Sequence, residues 1–299
     1  MPAPEAKVVE VYSSDIFRDG KIDESVARAM FETAFDKLSP TGLGDDFLPK
    51  ILPSGKKIGI KINTLAGRLN STSQPLVYAL ADTLHKAGHK KGNIIIWDRR
   101  EDELRRAGYK IQTSGSDYMC IATDTRGAGF DNRLYSYKSI GSMVSRIQTE
   151  MTDLVINFPI LKDHSLAGLS GCLKNYYGVI HNPNKYHENL CNPYQADLYG
   201  MDIIGGKQAL AVFDALNVQY NGGPGYINQW NERYSSILVS TDGVALDTVA
   251  TEIIDRLRTK HGLRRLKEVD REPAGVITAG KDGLGCAELD KIEWLKVKI

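Results

Sequence analysis

Short apolar strands that alternate with helical segments constrain the fold of this sequence most. Residues 93–97 read Asn-Ile-Ile-Ile-Trp, and such a continuous apolar run is typical of a strand inside a parallel sheet that is covered on both faces. Further strands are predicted at 7–12, 57–62, 153–158, 209–213, 236–240, 274–278 and 292–297. This alternation predicts an α/β fold, a mostly parallel sheet with helices on both faces.

The segments between the strands carry signals for helix ends. Apolar residues at helical spacing predict a helix over 23–38, and a second helix is expected to begin after Ser73. Asp242 is expected to cap a third helix. Because no linker or low-complexity run interrupts the pattern, the sequence indicates one domain over residues 1–299, with two lobes meeting near residue 150 as an alternative.

The composition excludes several classes of partner and cofactor. Lys and Arg together number 38 against 37 for Asp and Glu, a net charge of +1. No nucleic-acid partner is therefore expected, since a phosphate backbone requires a clustered basic excess. The apolar runs are far shorter than the roughly 20 residues of a membrane span, so no membrane association is expected. Among the four cysteines there is no Cys-x-x-Cys pair, so we expect no iron–sulfur cluster within this chain.

The amino-terminal residues leave two compartments open. Residues 1–6 lack the apolar stretch of a signal peptide, and this favours a soluble cytoplasmic protein. The same segment, Met-Pro-Ala-Pro-Glu-Ala, is also consistent with an exported protein whose signal peptide has been removed. The oligomeric state is left open by the sequence.

The strongest candidate site follows the strand predicted at 153–158. Ligands of parallel sheets bind beyond the carboxyl ends of the strands, and this position holds basic and small residues: Lys162, His164, Ser170, Gly171, Lys174 and Asn175. Small residues let the backbone approach a ligand. Free N–H groups at a helix start would join the lysines in attracting a carboxylate or phosphate. The alternative is a structural strand–turn–helix with surface lysines.

Two neighbouring strand ends supply further polar residues. Lys61 and Asn63 stand at the end of the strand at 57–62, and Asp98 stands at the end of the strand at 93–97. A lysine and an amide before a helix suit an anion or another polar substrate, and the aspartate could add a carboxylate. A plain strand-to-helix connection is the alternative.

A metal site is a further hypothesis for the same region. His181 and His187 lie in a long polar segment, and with His164 and Cys172 they offer nitrogen and sulfur ligands for Ni, Fe or Zn. Their spacing matches no standard zinc signature. Hydrogen-bonded structural histidines are therefore the alternative.

The order of these motifs resembles the DUF362 family, a domain of unknown function. The resemblance rests on Ile-Lys-Ile-Asn at 60–63, Lys-Asp-His at 162–164 and Leu-Lys-Asn-Tyr-Tyr-Gly at 173–178, and it continues at 221–224 and 240–247. Many relatives look like iron–sulfur proteins because they carry an appended ferredoxin segment. Its cysteine run is absent here, so the resemblance does not imply that role for this chain.

Residues 164–174 are also distantly similar to the His…Gly-Ser-Gly…Lys stretch of nickel-dependent lactate racemases. That resemblance implies acid–base work for His164 and a nickel-pincer cofactor held by Lys174. It also implies a later metal ligand, His181 or His187. The early Asp-x-Thr-Arg and Gly-x-His motifs of that family have no counterpart in this sequence.

Together these observations predict an enzyme that acts on a small anionic, carboxylate-type substrate and depends on a divalent metal or a metal cofactor. The expected chemistry is that of a racemase or epimerase, or of an oxidoreductase. Lys61 and Asn63 are expected to hold the ligand, and His164, Lys162 and Lys174 are the predicted catalytic residues. The alternative is a non-catalytic binding or carrier protein for a metal, a cofactor or an anion.

Overall fold

A computed structural model of the protein describes residues 4–39 and 47–299. Its strands are β1 (Ala6–Tyr12), β2 (Phe17–Arg18), β3 (Lys21–Ile22), β4 (Ile58–Ile62), β5 (Ile94–Asp98), β6 (Met119–Ala122), β7 (Tyr135–Tyr137), β8 (Ile140–Ser142), β9 (Leu154–Phe158), β10 (Ile160–His164), β11 (Gly168–Ser170), β12 (Gln208–Gln219), β13 (Asn231–Ser240) and β14 (Ile292–Lys298). Its α-helices are α1 (Glu24–Leu38), α2 (Phe47–Ile51), α3 (Gln74–Lys86), α4 (Glu101–Arg106), α5 (Cys172–Asn175), α6 (Tyr194–Tyr199), α7 (Gly243–Lys260) and α8 (Ala274–Lys281).

A ten-stranded sheet forms the centre of the protein. Its order is β14-β1-β13-β12-β9-β4-β5-β6, with β10 beside β12 and β11 beside β10. The run β12-β9-β4-β5-β6 is parallel throughout, as are the pairs β1–β14 and β10–β12. Antiparallel pairing is confined to β1–β13, β12–β13 and β10–β11. The prediction of an α/β fold with a mostly parallel sheet is confirmed.

The sheet separates two apolar cores. Successive residues of a strand point to opposite faces, so Ile94 and Ile96 of β5 pack with Phe31 of α1 and the apolar side of α3. Trp97, on the other face, packs in the core that contains Leu246 of α7 and apolar residues of α6 and α8. Helices therefore cover both faces, and the strands are apolar on both sides for this reason.

Most of the predicted elements are confirmed, including the helix start after Ser73 and the cap at Asp242, whose carboxylate accepts from the backbone N–H groups of Val244 and Ala245. The strand predicted at 274–278 is wrong, because these residues form α8. A short apolar run does not distinguish a strand from a helix. Here the buried positions are spaced helically, at Val276 and Ala279.

Two strands are longer than their apolar runs indicated. β12 and β13 extend as an antiparallel pair well beyond the predicted 209–213 and 236–240. Among the described residues, no helix is both long enough and apolar enough to cross a membrane.

The core under α3 gives a direct test of this packing. Leu80 is fully buried there, whereas Leu134 is 73% exposed. We expect Leu80→Ala to lower the free energy of unfolding by about 2–5 kcal/mol, through lost burial and the cavity that remains. The matched variant Leu134→Ala should change it by less than about 0.5 kcal/mol. Urea unfolding followed by circular dichroism measures both, and equal effects would contradict the burial of Leu80.

Candidate functional site

A cavity of about 220 Å³ opens beyond the carboxyl ends of β4 and β5. Its volume is below the roughly 300–1,000 Å³ of sites for drug-sized ligands, so it suits a small molecule. The residues predicted from the sequence that line it are Lys61, Asn63, Asp98, Lys162, His164, Ser170, Gly171, Lys174, Asn175 and His187. The strand-end rule thus predicted which side chains share one cavity.

Two predicted ligands lie elsewhere. His181 is exposed and its ring packs edge-on against Phe130, with the ring centres 5.1 Å apart. Cys172 is fully buried in the apolar core, and burial raises the pKa of its thiol well above the ordinary value. Both residues are close in sequence to the predicted site, but their side chains do not line the cavity.

The floor of the cavity contains a buried ion pair. Lys61 Nζ donates to Asp98 Oδ1 at 2.8 Å and to the carbonyl of Ile62 at 2.7 Å, and the lysine side chain is 1% exposed. The other carboxylate oxygen of Asp98 accepts from the backbone N–H and the hydroxyl of Thr64, both at 2.7 Å. Both charges are thus satisfied within the protein, which makes this pair a support for the site.

Asn175 connects this pair to the neighbouring elements. Its Oδ1 accepts from Lys61 Nζ at 3.2 Å, and its Nδ2 donates to Asn157 Oδ1 at 2.8 Å. Asn157 in turn donates to the carbonyl of Cys172 at 2.8 Å. Asn157 was not predicted as a site residue, although an amide inside an apolar strand indicates a position where a polar network crosses the sheet.

Lys162 is as deeply buried as Lys61 but has different partners. Its side chain is 1% exposed, and Nζ donates to Asn63 Oδ1 at 3.0 Å and to the carbonyl of Asn70 at 2.8 Å. In the part of the chain that the structure describes, no carboxylate forms an ion pair with it. Burial therefore lowers the pKa of this amine to about 7.

Strand alternation divides the Lys-Asp-His motif between two sides of β10. Lys162 and His164 face the cavity, whereas Asp163 pairs with Arg271 at 2.5 Å and accepts from the backbone N–H of Gly223 at 2.5 Å. Asp163 thus ties the glycine turn, whose Pro224 borders the cavity, to the strand. Asp163 therefore has a structural role, whereas its neighbours Lys162 and His164 line the cavity.

The ring of His164 has a fixed hydrogen-bonding pattern. The hairpin between β10 and β11 directs the N–H groups of Leu166 and Ala167 at Nδ1, at 3.1 and 3.2 Å. A neutral ring must then carry its proton on Nε2. Burial and the nearby charge of Lys174 lower the pKa of His164 to about 3. At neutral pH this residue offers an N–H donor, and this geometry favours a binding role over the predicted proton transfer.

Lys174 approaches the cavity from α5. Its Nζ donates to His187 Nε2 at 3.0 Å, because His187 Nδ1 carries its own proton and donates it to the carbonyl of Pro183 at 3.0 Å. Nζ also lies 3.7 Å from the centre of the Tyr177 ring, an arrangement that favours the ammonium form. Burial lowers the pKa of Lys174 to about 8, so at neutral pH this residue is a cation.

The donor set does not fit a metal ion held by protein side chains. His164 presents an N–H to the cavity, and the Nε2 lone pair of His187 is taken by Lys174. Over residues 4–39 and 47–299, no three His, Cys, Asp or Glu side chains group closely enough to hold a metal. The metal hypothesis stays a prediction.

The predicted free N–H groups at the start of α5 are occupied. The N–H groups of Cys172 and Leu173 donate to the two oxygens of Asp247, at 2.6 and 3.0 Å. A Cβ at Gly171 would overlap this carboxylate. The prediction that these groups attract an anion is wrong, because a buried acid from α7 caps the helix. Burial raises the pKa of Asp247 to about 7.

Other cavity residues were not predicted from the sequence. Tyr177 and Pro183 form apolar wall, and Arg99 and Glu103 add one charge of each sign. Burial raises the pKa of the Glu103 carboxyl, with a further contribution from nearby Asp98. The cavity has a basic character because its lysines and Arg99 outnumber its two acidic residues, Asp98 and Glu103.

The fold and the cavity define an α/β protein with a small basic site at the carboxyl ends of its parallel strands. The chain belongs to the family "Domain of unknown function (DUF362)", whose model matches residues 58–252. This confirms the predicted family. The match contains the cavity residues named above.

Two other comparisons add little about function. A search of curated proteins found no match. A crystal structure of a Thermotoga maritima protein, a structural genomics target, is similar with 12% identity and a TM-score of 0.42. That likeness covers 87% of this chain and 59% of the other, so the chain spans about three fifths of that protein's length. The similarity to lactate racemases is not among these findings and stays a prediction.

The buried amine of Lys162 predicts a specific pH dependence of stability. Its pKa is about 7 in the folded protein against 10.5 for an ordinary lysine, so between these values the unfolded chain binds a proton that the folded chain does not. Stability should therefore rise with pH in this window, by at most about 1.4 kcal/mol per pH unit.

Urea unfolding of wild type and Lys162→Met across this window measures the effect. The difference between the two free energies of unfolding should grow in favour of wild type as the pH rises. A difference that stays constant would show that Lys162 keeps its proton on folding.

Proposed function

We propose that this protein is an enzyme that binds a small carboxylate-type anion and moves a proton at the carbon beside the carboxylate, as a racemase or epimerase does. One observation carries the proposal. The buried amine of Lys162, which has no ion-pair partner within residues 4–39 and 47–299, lines the same small cavity as a cation, Lys174, and an N–H donor, His164.

The anion would be held by groups that are positive or donate hydrogen bonds at neutral pH. Lys174 supplies a partly desolvated ammonium, whose attraction for a carboxylate is stronger than in water. His164 supplies Nε2–H, since its Nδ1 is occupied. Asp98 does not oppose the anion, because Lys61 neutralises it.

The proton would move to and from Lys162. With a pKa of about 7, its amine is partly unprotonated at neutral pH, as a general base requires. The Nζ lone pair takes the proton from the α-carbon, and the electron pair moves into the carboxylate as an enediolate. Lys174 and His164 stabilise that charge. Return of the proton from the Lys162 ammonium to the α-carbon completes the exchange, and return on the opposite face inverts it.

The alternative function is that of a non-catalytic binding protein for a small anion. One observation favours it: the low pKa of His164 suits a permanent donor better than a group that exchanges protons. In that case Lys174 and His164 would bind the ligand while Lys162 would have no part in turnover.

Isotope exchange distinguishes the two functions. We expect wild type to incorporate deuterium from D₂O at the α-carbon of one member of a panel of 2-hydroxy and 2-amino acids, followed by proton NMR. Lys162→Met should lower that rate by at least about 100-fold, the usual contribution of a general base. Lys174→Met should raise KM and also lower the exchange rate at saturation, because Lys174 both binds the carboxylate and stabilises the enediolate.

The exposed Lys185, outside the lining of the cavity, gives the matched control Lys185→Met, which should exchange like wild type. Exchange that survives Lys162→Met would contradict the proposed base. Carboxylate binding that depends on Lys174, with no exchange on any panel member, would favour the binding protein.

The compartment is also inferred. Cys120, Cys172, Cys191 and Cys286 are all free and buried thiols. Unpaired cysteines are typical of reducing compartments, and we infer a cytoplasmic protein on this basis.

A further inference from the structure

We propose that the amine of Lys162 forms a covalent imine with the carbonyl carbon of a 2-oxo acid bound in the cavity. This inference rests on the proposed function, because it uses the same anion site, but it adds a covalent step and a substrate class. The comparison between the two buried lysines of the cavity carries it.

Lys61 and Lys162 have the same exposure and opposite surroundings. Lys61 lies 2.8 Å from the Asp98 carboxylate, and this ion pair holds its nitrogen as an ammonium with no lone pair to share. Among the described residues, Lys162 Nζ donates hydrogen bonds to neutral oxygens alone, Asn63 Oδ1 and the carbonyl of Asn70. A buried charge without a counter-charge is costly, so the surroundings of Lys162 suit an uncharged amine.

The number of hydrogen-bond acceptors around Lys162 Nζ agrees with an uncharged amine. A neutral amine has two N–H bonds, and Lys162 Nζ has two acceptors, at 3.0 and 2.8 Å, among the residues that the structure describes. With both N–H bonds directed at protein oxygens, the remaining position on nitrogen is the lone pair. Since the residue lines the cavity, a bound carbonyl carbon is the electrophile that this lone pair can meet.

The remaining groups suit a 2-oxo acid. Its carboxylate and its carbonyl oxygen both need positive or N–H partners, and the cavity offers Lys174 and His164 Nε2–H. Both oxygen-bearing groups lie on adjacent carbons, which fits a cavity of about 220 Å³. An aldehyde or ketone without a carboxylate would leave one of these donors without a partner.

The step balances without an oxidant or reductant. The Nζ lone pair forms the N–C bond while the carbonyl π pair moves to oxygen, and one amine proton passes to that oxygen to give a carbinolamine. The hydroxyl then leaves as water, taking the second amine proton. The product is a neutral imine, and protonation of its nitrogen gives an N–H that can donate to one of the two former acceptors, Asn63 Oδ1 or the carbonyl of Asn70.

Reductive trapping tests the imine. The intact protein is incubated with pyruvate and sodium cyanoborohydride, which reduces an imine to a stable secondary amine, and the modified residue is located by peptide mass spectrometry. We expect one adduct per chain, at Lys162. Lactate has a hydroxyl group in place of the ketone carbonyl of pyruvate and serves as the matched ligand, so it should give no adduct.

Variants and a binding measurement separate the possible outcomes. Lys162→Met should lose the adduct, Lys174→Met should lower its yield at limiting pyruvate, and Lys185→Met should label like wild type. An adduct spread over surface lysines, or unchanged in Lys162→Met, would overturn the imine. Pyruvate that raises the melting temperature through Lys174 without any adduct would also overturn it, while leaving the anion site intact. If pyruvate neither raises the melting temperature nor forms an adduct, both proposals are contradicted.

Discussion

The ion pair between Lys61 and Asp98 is the interaction on which the site depends. It joins the ends of two parallel strands, β4 and β5, in the floor of the cavity. Desolvation makes a buried pair of charges a poor source of stability unless the remaining hydrogen-bonding capacity is also used. Here it is used, since Asp98 accepts four hydrogen bonds, from Lys61, from the backbone and hydroxyl of Thr64, and from the N–H of Arg99. The pair therefore fixes the loops after both strands.

The same pair determines the character of the cavity. Asp98 forms its ion pair with Lys61, and in the described part of the chain the second buried lysine, Lys162, faces the cavity without an ion-pair partner. A cation at Lys174 and a donor at His164 complete a basic site of small volume. Both proposals follow from this asymmetry between two equally buried lysines. Lys61 supports the architecture, and Lys162 is the residue to which both proposals assign the chemistry.

The sequence predicted much of this arrangement because parallel strands place their carboxyl ends at one edge. That rule alone grouped Lys61, Asn63 and Asp98 with Lys162 and Lys174. It did not predict the partners supplied by distant segments. Asp247 occupies the start of α5 from 75 positions further along the chain, and no local pattern reveals such a contact.

The sequence also did not reveal in which direction some side chains point. Cys172 and His181 lie near the site along the chain, but one enters the core and the other faces solvent beside Phe130. The apolar run at 274–278 predicts a strand, but its length and composition suit a helix equally well. Burial against α6 and α7 decides for a helix. For these residues, tertiary packing determines the side-chain direction or the type of element, which the local sequence does not specify.

The protonation state of Lys162 is the central claim, and NMR of the protein with ¹³C- and ¹⁵N-labelled lysine measures it most directly. We expect one lysine side-chain signal, absent from the Lys162→Met spectrum, that changes from ammonium to amine near pH 7. A Lys162 signal that keeps the ammonium shift up to about pH 10, as an ordinary lysine does, would contradict it.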